Sequence, residues 1–388
     1  MLALTAKALY TPLERIDRPV VLIEEGVISR LGPQAELEVP SGARLVDFSD
    51  CLFSPGLVDI HIHGSAGIDL MRADEQGLRH FERFLASHGV TSYFPTTVTA
   101  PLEPTLRALS ALADAIESAE SRTFDGADRA RPCGIHLEGP FLSPLRRGVH
   151  PPENLLAPAL NVFDRFWSAA RGQIKLMTIA PELEGAPELI AAVQKRGVVA
   201  SLGHSDATLE ATRAGVRAGA RHATHTFNAM RPLDHRTPGI LGEVLSNPVL
   251  TADLIADGVH VHPSVVQLFL SAKGPARAVL ITDATAAAGM PDGSYRLGPI
   301  EVEVKEGRCL YQGSLAGSVL SLDRAIRNVM EFSGWAFEPA LRSATLNPAR
   351  VVGLAEKGVL EAGCDADLVV WTAEREVRAS IVKGALLE

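Results

Sequence analysis

Hydrophobic and polar residues alternate along the first fifty residues, and this period of two is typical of β-strands. Residues 20–23 and 27–28 form two predicted strands joined by a turn at 24–26, and Gly32 and Pro33 end the second one. The last forty residues return to the same pattern, with predicted strands at 358–360, 367–371 and 377–382. The two ends of the chain therefore resemble each other.

The central part of the chain, residues 54–348, alternates short apolar runs with stretches whose apolar residues recur every three to four positions. Eight predicted strands lie at residues 57–60, 92–95, 134–137, 174–179, 198–202, 223–226, 250–255 and 279–282. Six predicted helices lie at residues 75–88, 102–118, 161–170, 187–196, 209–218 and 263–273. After the eighth strand, residues 300–304 and 308–311 form a predicted hairpin.

This order of elements predicts an α/β fold with two domains. Short apolar strands separated by helices indicate a parallel sheet covered on both faces, and eight such units predict a (β/α)8 TIM-type barrel over residues 54–348. The strands at the two chain ends predict one small β-sandwich domain, formed by residues 1–53 and 349–388. The barrel, as the catalytic domain, is then inserted into the smaller domain.

Composition and charge exclude several classes of partner. Of the 388 residues, 37 are Lys or Arg and 46 are Asp or Glu, and the net charge of −9 without a basic stripe argues against nucleic acid. No run of 18 apolar residues and no secretory signal pattern are visible, so we expect a cytoplasmic protein that does not bind membranes. The four cysteines stand far apart without a C-x-x-C pair, which favours reduced thiols.

Side chains that can bind metal ions lie at the carboxyl ends of five predicted strands, where the reacting groups of a barrel project. They are His61, His63, Glu138, His204, His225 and Asp283. Each alone has an ordinary explanation, such as a buried histidine, a loop cap for Glu138 or a turn residue for Asp283. Their common placement, in a chain with 12 histidines, favours a site for Zn²⁺, Fe²⁺ or another divalent ion. For His80, His88 and His222, which lack such neighbours, we expect structural roles.

Several motifs resemble a known superfamily of enzymes. PGLVDIHIHG at residues 55–64, together with Asp283, resembles the metal-dependent amidohydrolase superfamily. Further segments resemble the family of N-acetylglucosamine-6-phosphate deacetylases within it: HLEGPF at 136–141, TIAPE at 178–182, GHS at 203–205, HTFNAM at 225–230, ADGVH at 256–260 and TDAT at 282–285. The resemblance covers essentially the whole chain. It implies hydrolysis of N-acetyl-D-glucosamine 6-phosphate to D-glucosamine 6-phosphate and acetate.

The resemblance also implies a metal-ligand set. Glu138, His204 and His225 match the principal metal ligands of the family. His61 and His63 leave room for a second ion, with Glu138 as the bridge. We therefore expect one or two divalent ions per subunit, with Zn²⁺ favoured and Fe²⁺ or another first-row ion as the alternative.

The remaining roles concern catalysis and substrate binding. By resemblance, Asp283 is the catalytic acid/base and His150 helps to stabilise the oxyanion. The residues expected to bind the substrate are Val149, His150, Asn228, Ala229, Arg236, Asp257, His260, Leu315, Ala316 and Gly317. The family pattern implies a homodimer in which the Arg236 guanidinium reaches the phosphate in the neighbouring subunit's site. Ala316 stands where the family frequently has Ser and Phe141 where it frequently has Trp, which leaves the sugar specificity open.

Three alternative functions stay open at this point. The chain could be an N-acetylgalactosamine-6-phosphate deacetylase, another amidohydrolase acting on a small amide, or a catalytically inactive scaffold of the same fold. The phosphate-binding residues Asn228, Arg236 and His260 argue against a nucleobase deaminase. The complete set of metal-binding side chains argues against the scaffold.

Overall fold

The structure, a computed structural model, describes residues 1–121 and 129–387. Five strands occupy the first 55 residues: β1 (Leu2–Tyr10), β2 (Arg15–Asp17), β3 (Pro19–Glu24), β4 (Val27–Pro33) and β5 (Arg44–Pro55). The two strands predicted here correspond to β3 and β4, which pair antiparallel across the predicted turn. The alternating pattern of this segment is therefore confirmed as β-structure.

The central strands follow the predicted order. They are β6 (Leu57–Ile62), β7 (Gly64–Ser65), β8 (Ile68–Asp69), β9 (Val90–Pro95), β10 (Arg131–Pro132), β11 (Ile135–Glu138), β12 (Ile174–Ile179), β13 (Val199–Leu202), β14 (His222–Ala223), β15 (Ala252–Ile255) and β16 (Ala278–Ile281). Each of the eight predicted strands has a counterpart. The sixth was predicted at residues 223–226, but β14 ends at Ala223, because the chain then leaves the extended conformation and His225 adopts a positive φ.

Helices separate these strands. They are α1 (Glu75–Ser87), α2 (Leu102–Ser121), α3 (Leu160–Ala169), α4 (Ala186–Gln194), α5 (Leu209–Ala218), α6 (Gly239–Ser246), α7 (Pro263–Lys273), α8 (Leu322–Ser333), α9 (Phe337–Ala344) and α10 (Leu346–Val351). The six predicted helices are confirmed. The sequence interpretation missed α6, whose residues are mostly apolar and buried, because such a helix has no polar face to reveal its period. It also missed α8, α9 and α10.

The central strands lie next to one another in chain order. β6 pairs parallel with β9, β9 continues into a bridge between Thr96 and His136, and β11, β12, β13 and β14 pair parallel in turn. The chain just beyond β14 donates a backbone hydrogen bond to β15, and β15 pairs parallel with β16. Beyond β16, the N–H of Asp283 donates to the carbonyl of His61 at 2.9 Å. The carboxyl ends of these strands therefore meet at one place.

A small antiparallel sheet covers that end of the strands. Its strands are β17 (Gly293–Leu297), β18 (Ile300–Lys305), β19 (Arg308–Tyr311) and β20 (Ser314–Leu315). The predicted hairpin corresponds to β18 and β19, and the sheet has one further strand on each side. Its apolar face packs on Val98 and Ala287. We name residues 293–315 the flap sheet.

Strands from both chain ends form one sheet. The C-terminal strands are β21 (Leu368–Trp371), β22 (Val377–Val382) and β23 (Ala385–Leu387), and the sheet has the order β23-β22-β21-β5-β1-β3-β4, with β2 beside β1. The strand predicted at residues 358–360 is wrong. Gly358 has a φ of +71°, and a Cβ there would lie 2.5 Å from the carbonyl oxygen of Thr345, so this short segment turns instead of pairing.

The two largest of the four apolar cores among the described residues lie in different parts of the fold. The larger one lies between the central strands and the helices, and a smaller one, which includes Leu4, Phe53 and Ile381, lies under the sheet formed by the chain ends. All four cysteines are free thiols, as expected from their spacing. Among the described residues, no helix combines the length and the apolar character that a membrane crossing requires.

Candidate active site

Three predicted metal ligands converge at the carboxyl ends of the central strands. Glu138 is the last residue of β11, while His204 and His225 follow β13 and β14 by two residues. Glu138 Oε1 lies 3.2 Å from His204 Nε2 and 3.1 Å from His225 Nε2, and these two nitrogens are 3.0 Å apart. All three side chains are buried, so the structure brings this part of the predicted site together.

A second cluster shares the same glutamate. The Nε2 atoms of His61 and His63 lie 3.2 Å apart, since alternate residues of an extended chain point to the same side. Each of these nitrogens lies 3.4 Å from an oxygen of Glu138. Asp283 Oδ1 lies 3.4 Å from His61 Nε2 and 3.1 Å from His63 Nε2. Glu138 is therefore common to two groups of metal-competent atoms.

The donor set fits one or two divalent metal ions. The two Nε2 atoms of each histidine pair are too close for two lone pairs to face each other, so either a shared proton or a bound cation lies between them. Imidazole and carboxylate donors are the set that Zn²⁺ and other first-row divalent ions prefer. The groups His61, His63 and Glu138, and Glu138, His204 and His225, each present three ligand atoms within 4.8 Å of one another.

Backbone contacts orient the ligand rings. His204 Nδ1 lies 3.0 Å from the carbonyl oxygen of Arg146, and His63 Nδ1 lies 3.1 Å from that of Thr96. Donation of Nδ1–H to a carbonyl leaves the Nε2 lone pair directed at the cluster. The Nδ1 of His225, in contrast, has no partner among the described residues.

Asp253 holds His225 through the main chain instead. Its carboxylate accepts a hydrogen bond from the backbone N–H of His225 and lies 3.0 Å from His222 Nε2. His222 Nδ1 in turn lies 2.7 Å from Thr251 Oγ1. His222 thus has the structural role expected for it, as the buried partner of a carboxylate.

Three residues of the site have a strained backbone conformation. His204, His225 and Asp283 have φ angles of +47°, +29° and +50°, in a region that non-glycine residues rarely adopt. Such conformations cost on the order of 1–3 kcal/mol each and persist where surrounding contacts hold them. The positive φ angles change the direction of the chain at the strand ends, so that these three side chains point toward one another.

Charge distribution keeps Asp283 ionised. Burial would raise the pKa of Asp283, but the neighbouring His61 and His63 lower it to about 2. Burial would lower the pKa of His63, but hydrogen bonds to Asp283 and Glu138 raise it to about 10, so a metal ion that binds Nε2 must displace a proton from this ring. Burial lowers the pKa of His204 to about 4 despite its contact with Glu138, so its ring is neutral and can donate a lone pair. Asp283 is therefore ionised at neutral pH.

A pocket opens above the metal-competent atoms. Besides Asp283 and four of the predicted ligands, the predicted residues that line it are Val149, His150, Asn228, Ala229, His260, Leu315, Ala316 and Gly317. His61 is fully buried beneath the pocket floor and does not line it. His150 Nε2 lies 3.5 Å from Glu138 Oε2, while its Nδ1 lies 2.8 Å from Thr99 Oγ1.

Two predicted substrate residues do not line the pocket. Arg236 is exposed on the loop before α6, where its N–H donates to Asp234. Asp257 lies behind His260, and its Oδ2 is 2.7 Å from His260 Nδ1. Its contact with the pocket is therefore indirect.

Three lining residues were missed by the sequence interpretation: Val98, Gly148 and Leu297. Gly148 lies in the loop that carries His150, and a Cβ there would lie 3.2 Å from His204 Cε1. Its position directly before Val149 was an available signal. Val98 and Leu297 are ordinary apolar residues in the sequence, and only the packing of the flap sheet brings them to the pocket.

The chain belongs to the amidohydrolase family, because the model of that family matches residues 52–387. It therefore has the mixed α/β fold of the amidohydrolase superfamily. An N-acetylglucosamine-6-phosphate deacetylase from Bacillus subtilis (strain 168) is 36% identical over 380 residues, which cover 97% of this chain and 94% of the relative. An N-acetylgalactosamine-6-phosphate deacetylase from Escherichia coli O157:H7 is also 36% identical, over 99% of this chain and 98% of its own.

Solved structures agree with these relatives. A mutant N-acetyl-D-glucosamine-6-phosphate deacetylase from Mycobacterium smegmatis, in complex with N-acetyl-D-glucosamine-6-phosphate, superposes with a TM-score of 0.91 at 35% identity. The match covers 99% of this chain and 98% of that one. The corresponding enzyme from Thermotoga maritima superposes with a TM-score of 0.86 at 32% identity, over 98% and 97% of the two chains. The likeness therefore extends over both the central strands and the sheet of the chain ends.

Proposed function

We infer that the chain hydrolyses the N-acetyl group of N-acetyl-D-glucosamine 6-phosphate, giving D-glucosamine 6-phosphate and acetate. The observation that carries this inference is the full-length likeness to an enzyme in complex with that sugar phosphate. The epimeric N-acetylgalactosamine 6-phosphate is the second candidate substrate, favoured by the relative from Escherichia coli O157:H7 at the same identity. The enzyme is a hydrolase of a linear amide, and it acts in amino-sugar metabolism.

We propose that Glu138, His204 and His225 hold the principal metal ion and that His61 and His63 share Glu138 with a second one. The proposal is supported by the two three-residue groups of donor atoms. Zn²⁺ is the ion that the imidazole-rich donor set favours, with Fe²⁺ as the alternative. A bound divalent ion supplies positive charge that acidifies water and polarises a carbonyl.

Asp283 serves first as the base. It is ionised at neutral pH and stands 3.1 Å from His63 at the floor of the pocket, where a water molecule can reach it. Asp283 accepts the proton of this water as the water oxygen bonds to the acyl carbon. Negative charge then develops on the former carbonyl oxygen, and the His150 Nε2–H is placed to donate a hydrogen bond to it.

Asp283 serves second as the acid. The amine of the sugar leaves only after it gains a proton, because an amide anion is too basic a leaving group. Asp283 therefore returns its proton to the nitrogen as the C–N bond breaks, which gives the free amine and acetic acid, and the acid then loses its remaining proton to the solvent as acetate. One carboxyl group thus carries the proton from water to nitrogen and ends in its starting state.

The phosphate lies at the far end of the pocket in this proposal. Asn228, Ala229 and His260 line that side, and the Asp257 carboxylate orients the His260 ring. Arg236 is exposed and away from its own pocket, which agrees with a role in the neighbouring subunit of a homodimer. Val149, Leu315, Ala316 and Gly317 would then enclose the sugar.

We propose a finer organisation of the fold as well. Residues 54–348 form a (β/α)8 barrel that carries the catalytic residues, and residues 1–53 and 349–388 form a small β-sandwich domain. The chain-order pairing of the central strands and the hydrogen bond from Asp283 to His61 support the barrel. The pairing of β5 with β21 supports a domain made from both chain ends. We further propose a cytoplasmic location.

Acetate release tests the function directly. The purified protein is analysed for bound metal and then incubated with N-acetyl-D-glucosamine 6-phosphate, its galactosamine epimer and the sugar without phosphate. We expect kcat/KM to be highest on N-acetyl-D-glucosamine 6-phosphate. It should be at least about tenfold lower on the sugar without phosphate, because the charge-assisted hydrogen bonds to the phosphate are lost. Arg236→Ala should cause a similar loss only on the phosphorylated sugar. Equal rates on the sugars with and without phosphate would refute the assignment.

A further inference from the structure

A second cavity borders the metal-competent cluster from the side. It reaches Glu138 and Val98, which also line the active-site pocket, and it opens between the loops that follow β9 and β11. His150 lines only the active-site pocket, while its partner Thr99 lines the second cavity. Their hydrogen-bonded pair, with 2.8 Å between Nδ1 and Oγ1, therefore forms part of the partition between the two spaces. We name the second space the side cavity.

The walls of the side cavity are largely apolar. Ala100, Pro101, Leu102, Leu156 and Phe166 supply most of this surface. The threonines of the neighbouring segments and Asn154 add uncharged polar groups, and the Glu153 carboxylate is exposed rather than buried in the cavity. Apart from Glu138 at its inner end, the cavity therefore suits an alkyl chain better than a charged group.

The geometry of an amide leaves one substituent free to extend beyond the active-site pocket. The three substituents of an acyl carbon lie in one plane, about 120° apart. In the proposed reaction the nitrogen carries the sugar toward Asn228 and His260, and the oxygen faces His150 and the ligand cluster. The third substituent, which is the methyl group of an acetamide, takes the remaining direction in that plane. Val98 and Glu138 line both spaces, so the side cavity is the neighbouring space into which a longer substituent can extend.

We propose that the side cavity binds the acyl chain of the substrate and that the enzyme therefore also hydrolyses N-acyl amino-sugar 6-phosphates with chains longer than acetyl. This inference rests on the proposed function of the site. A pocket closed around one methyl group rejects an added methylene by about tenfold to 200-fold, whereas an open apolar cavity removes that penalty. The reaction is unchanged: water oxygen bonds to the acyl carbon, the C–N bond breaks, and the proton moves to the amine. The second product becomes propionate or butyrate.

The test compares N-acetyl-, N-propionyl- and N-butyryl-glucosamine 6-phosphate as substrates of the metal-loaded enzyme. The common product, glucosamine 6-phosphate, is measured, so that one assay gives all three values of kcat/KM. Ala100→Leu narrows the side cavity from its wall, and Leu156→Phe narrows it from another side if the first variant does not fold. Ala111→Leu, on α2 but outside the side cavity, is the matched control.

We expect the unaltered enzyme to lose less than about fivefold in kcat/KM from the acetyl to the propionyl substrate. Either narrowing variant should keep its acetyl activity within about threefold and lose at least about tenfold on the longer chains. The Ala111→Leu variant should behave like the unaltered enzyme. A loss above about fiftyfold on the propionyl substrate in the unaltered enzyme would overturn the proposal. So would narrowing variants that discriminate between the acetyl and the longer substrates no more than the unaltered enzyme does. Failure of the proposed function would differ, because even the acetyl substrate would then release no product.

Discussion

The carboxylate of Asp257 holds the ring of His260, with 2.7 Å between Oδ2 and Nδ1. Its other oxygen accepts the backbone N–H groups of Val259 and His260, both at 2.8 Å. Three contacts thus fix one histidine, whose side chain is only 6% exposed. Because Nδ1–H is engaged with the carboxylate, Nε2 is the atom left to face the pocket. Asp257 therefore acts on the substrate through His260.

Asp257→Asn should weaken this positioning. The charged partner of the His260 ring is lost while the shape of the side chain is kept, so we expect KM for N-acetyl-D-glucosamine 6-phosphate to rise about tenfold. Because Asp257 is remote from the scissile bond, kcat should change less than about threefold. Steady-state kinetics on the sugar without phosphate serve as the control. An equal rise of KM on both sugars would show that His260 does not face the phosphate.

Asp283→Asn separates proton transfer from metal binding. An amide in this position keeps the volume of the side chain but accepts no proton, so kcat should fall at least about a hundredfold. Metal content and Tm should stay close to those of the unaltered enzyme, since the Glu138 cluster is intact. Both are measured on the same preparation as kcat. Near-normal turnover would show that another group moves the proton.

Gly148 lies against a metal ligand. Its φ is +57°, and an added Cβ would stand 3.2 Å from His204 Cε1. Gly148→Ala should therefore displace the His204 ring and lower metal affinity and kcat/KM at least about tenfold. Gly334→Ala is the matched control, because Gly334 has a φ of +73° with nothing within 4 Å of the added Cβ.

The control variant isolates the effect of backbone strain. Gly334→Ala should lose about 1 kcal/mol of stability and keep its metal affinity, because the left-handed backbone disfavours a Cβ whatever surrounds it. Metal titration of the two variants by calorimetry compares them directly. If both bind metal equally well, the contact with His204 is unimportant.

The residues themselves explain how far the sequence could predict this structure. The metal-competent residues were predictable because each lies at or just beyond the carboxyl end of a short apolar strand, and parallel strands bring such positions together. The indirect role of Asp257 was not predictable, since a carboxylate three residues before a histidine can face either the ligand or the imidazole ring of that histidine. Val98 and Leu297 gave no signal, because an apolar residue near a site looks like any core residue. The helix α6 was hidden for a related reason, because its one charged residue, Glu243, is buried and most of its other residues are apolar, so no polar face reveals the period.

A buried ion network ties the C-terminal segment together. Lys357 Nζ lies 2.6 Å from Asp365 Oδ2 and 2.5 Å from Asp367 Oδ2, and Lys383 also pairs with Asp365. Burial would raise the pKa of Asp365, but the charge of Lys357 lowers it. Lys357→Met leaves two buried carboxylates with one cation fewer, so we expect the free energy of unfolding at pH 7 to fall by about 3 kcal/mol. Denaturant unfolding measures the difference, with the exposed Lys195→Met as control.

The pH dependence of this difference has a defined sign. Because the pKa of Asp365 is lower in the folded protein than in the unfolded chain, its stabilising effect is present above about pH 4 and is lost as the pH falls through the folded-state pKa. The pKa of Lys357 is raised by the same carboxylates, so its own effect persists through neutral pH and is lost only in strong alkali. The deficit of Lys357→Met should therefore be constant between about pH 6 and pH 9 and shrink below about pH 4. A deficit that grows on acidification would mean that the lysine contributes through packing of its methylene chain and not through its charge.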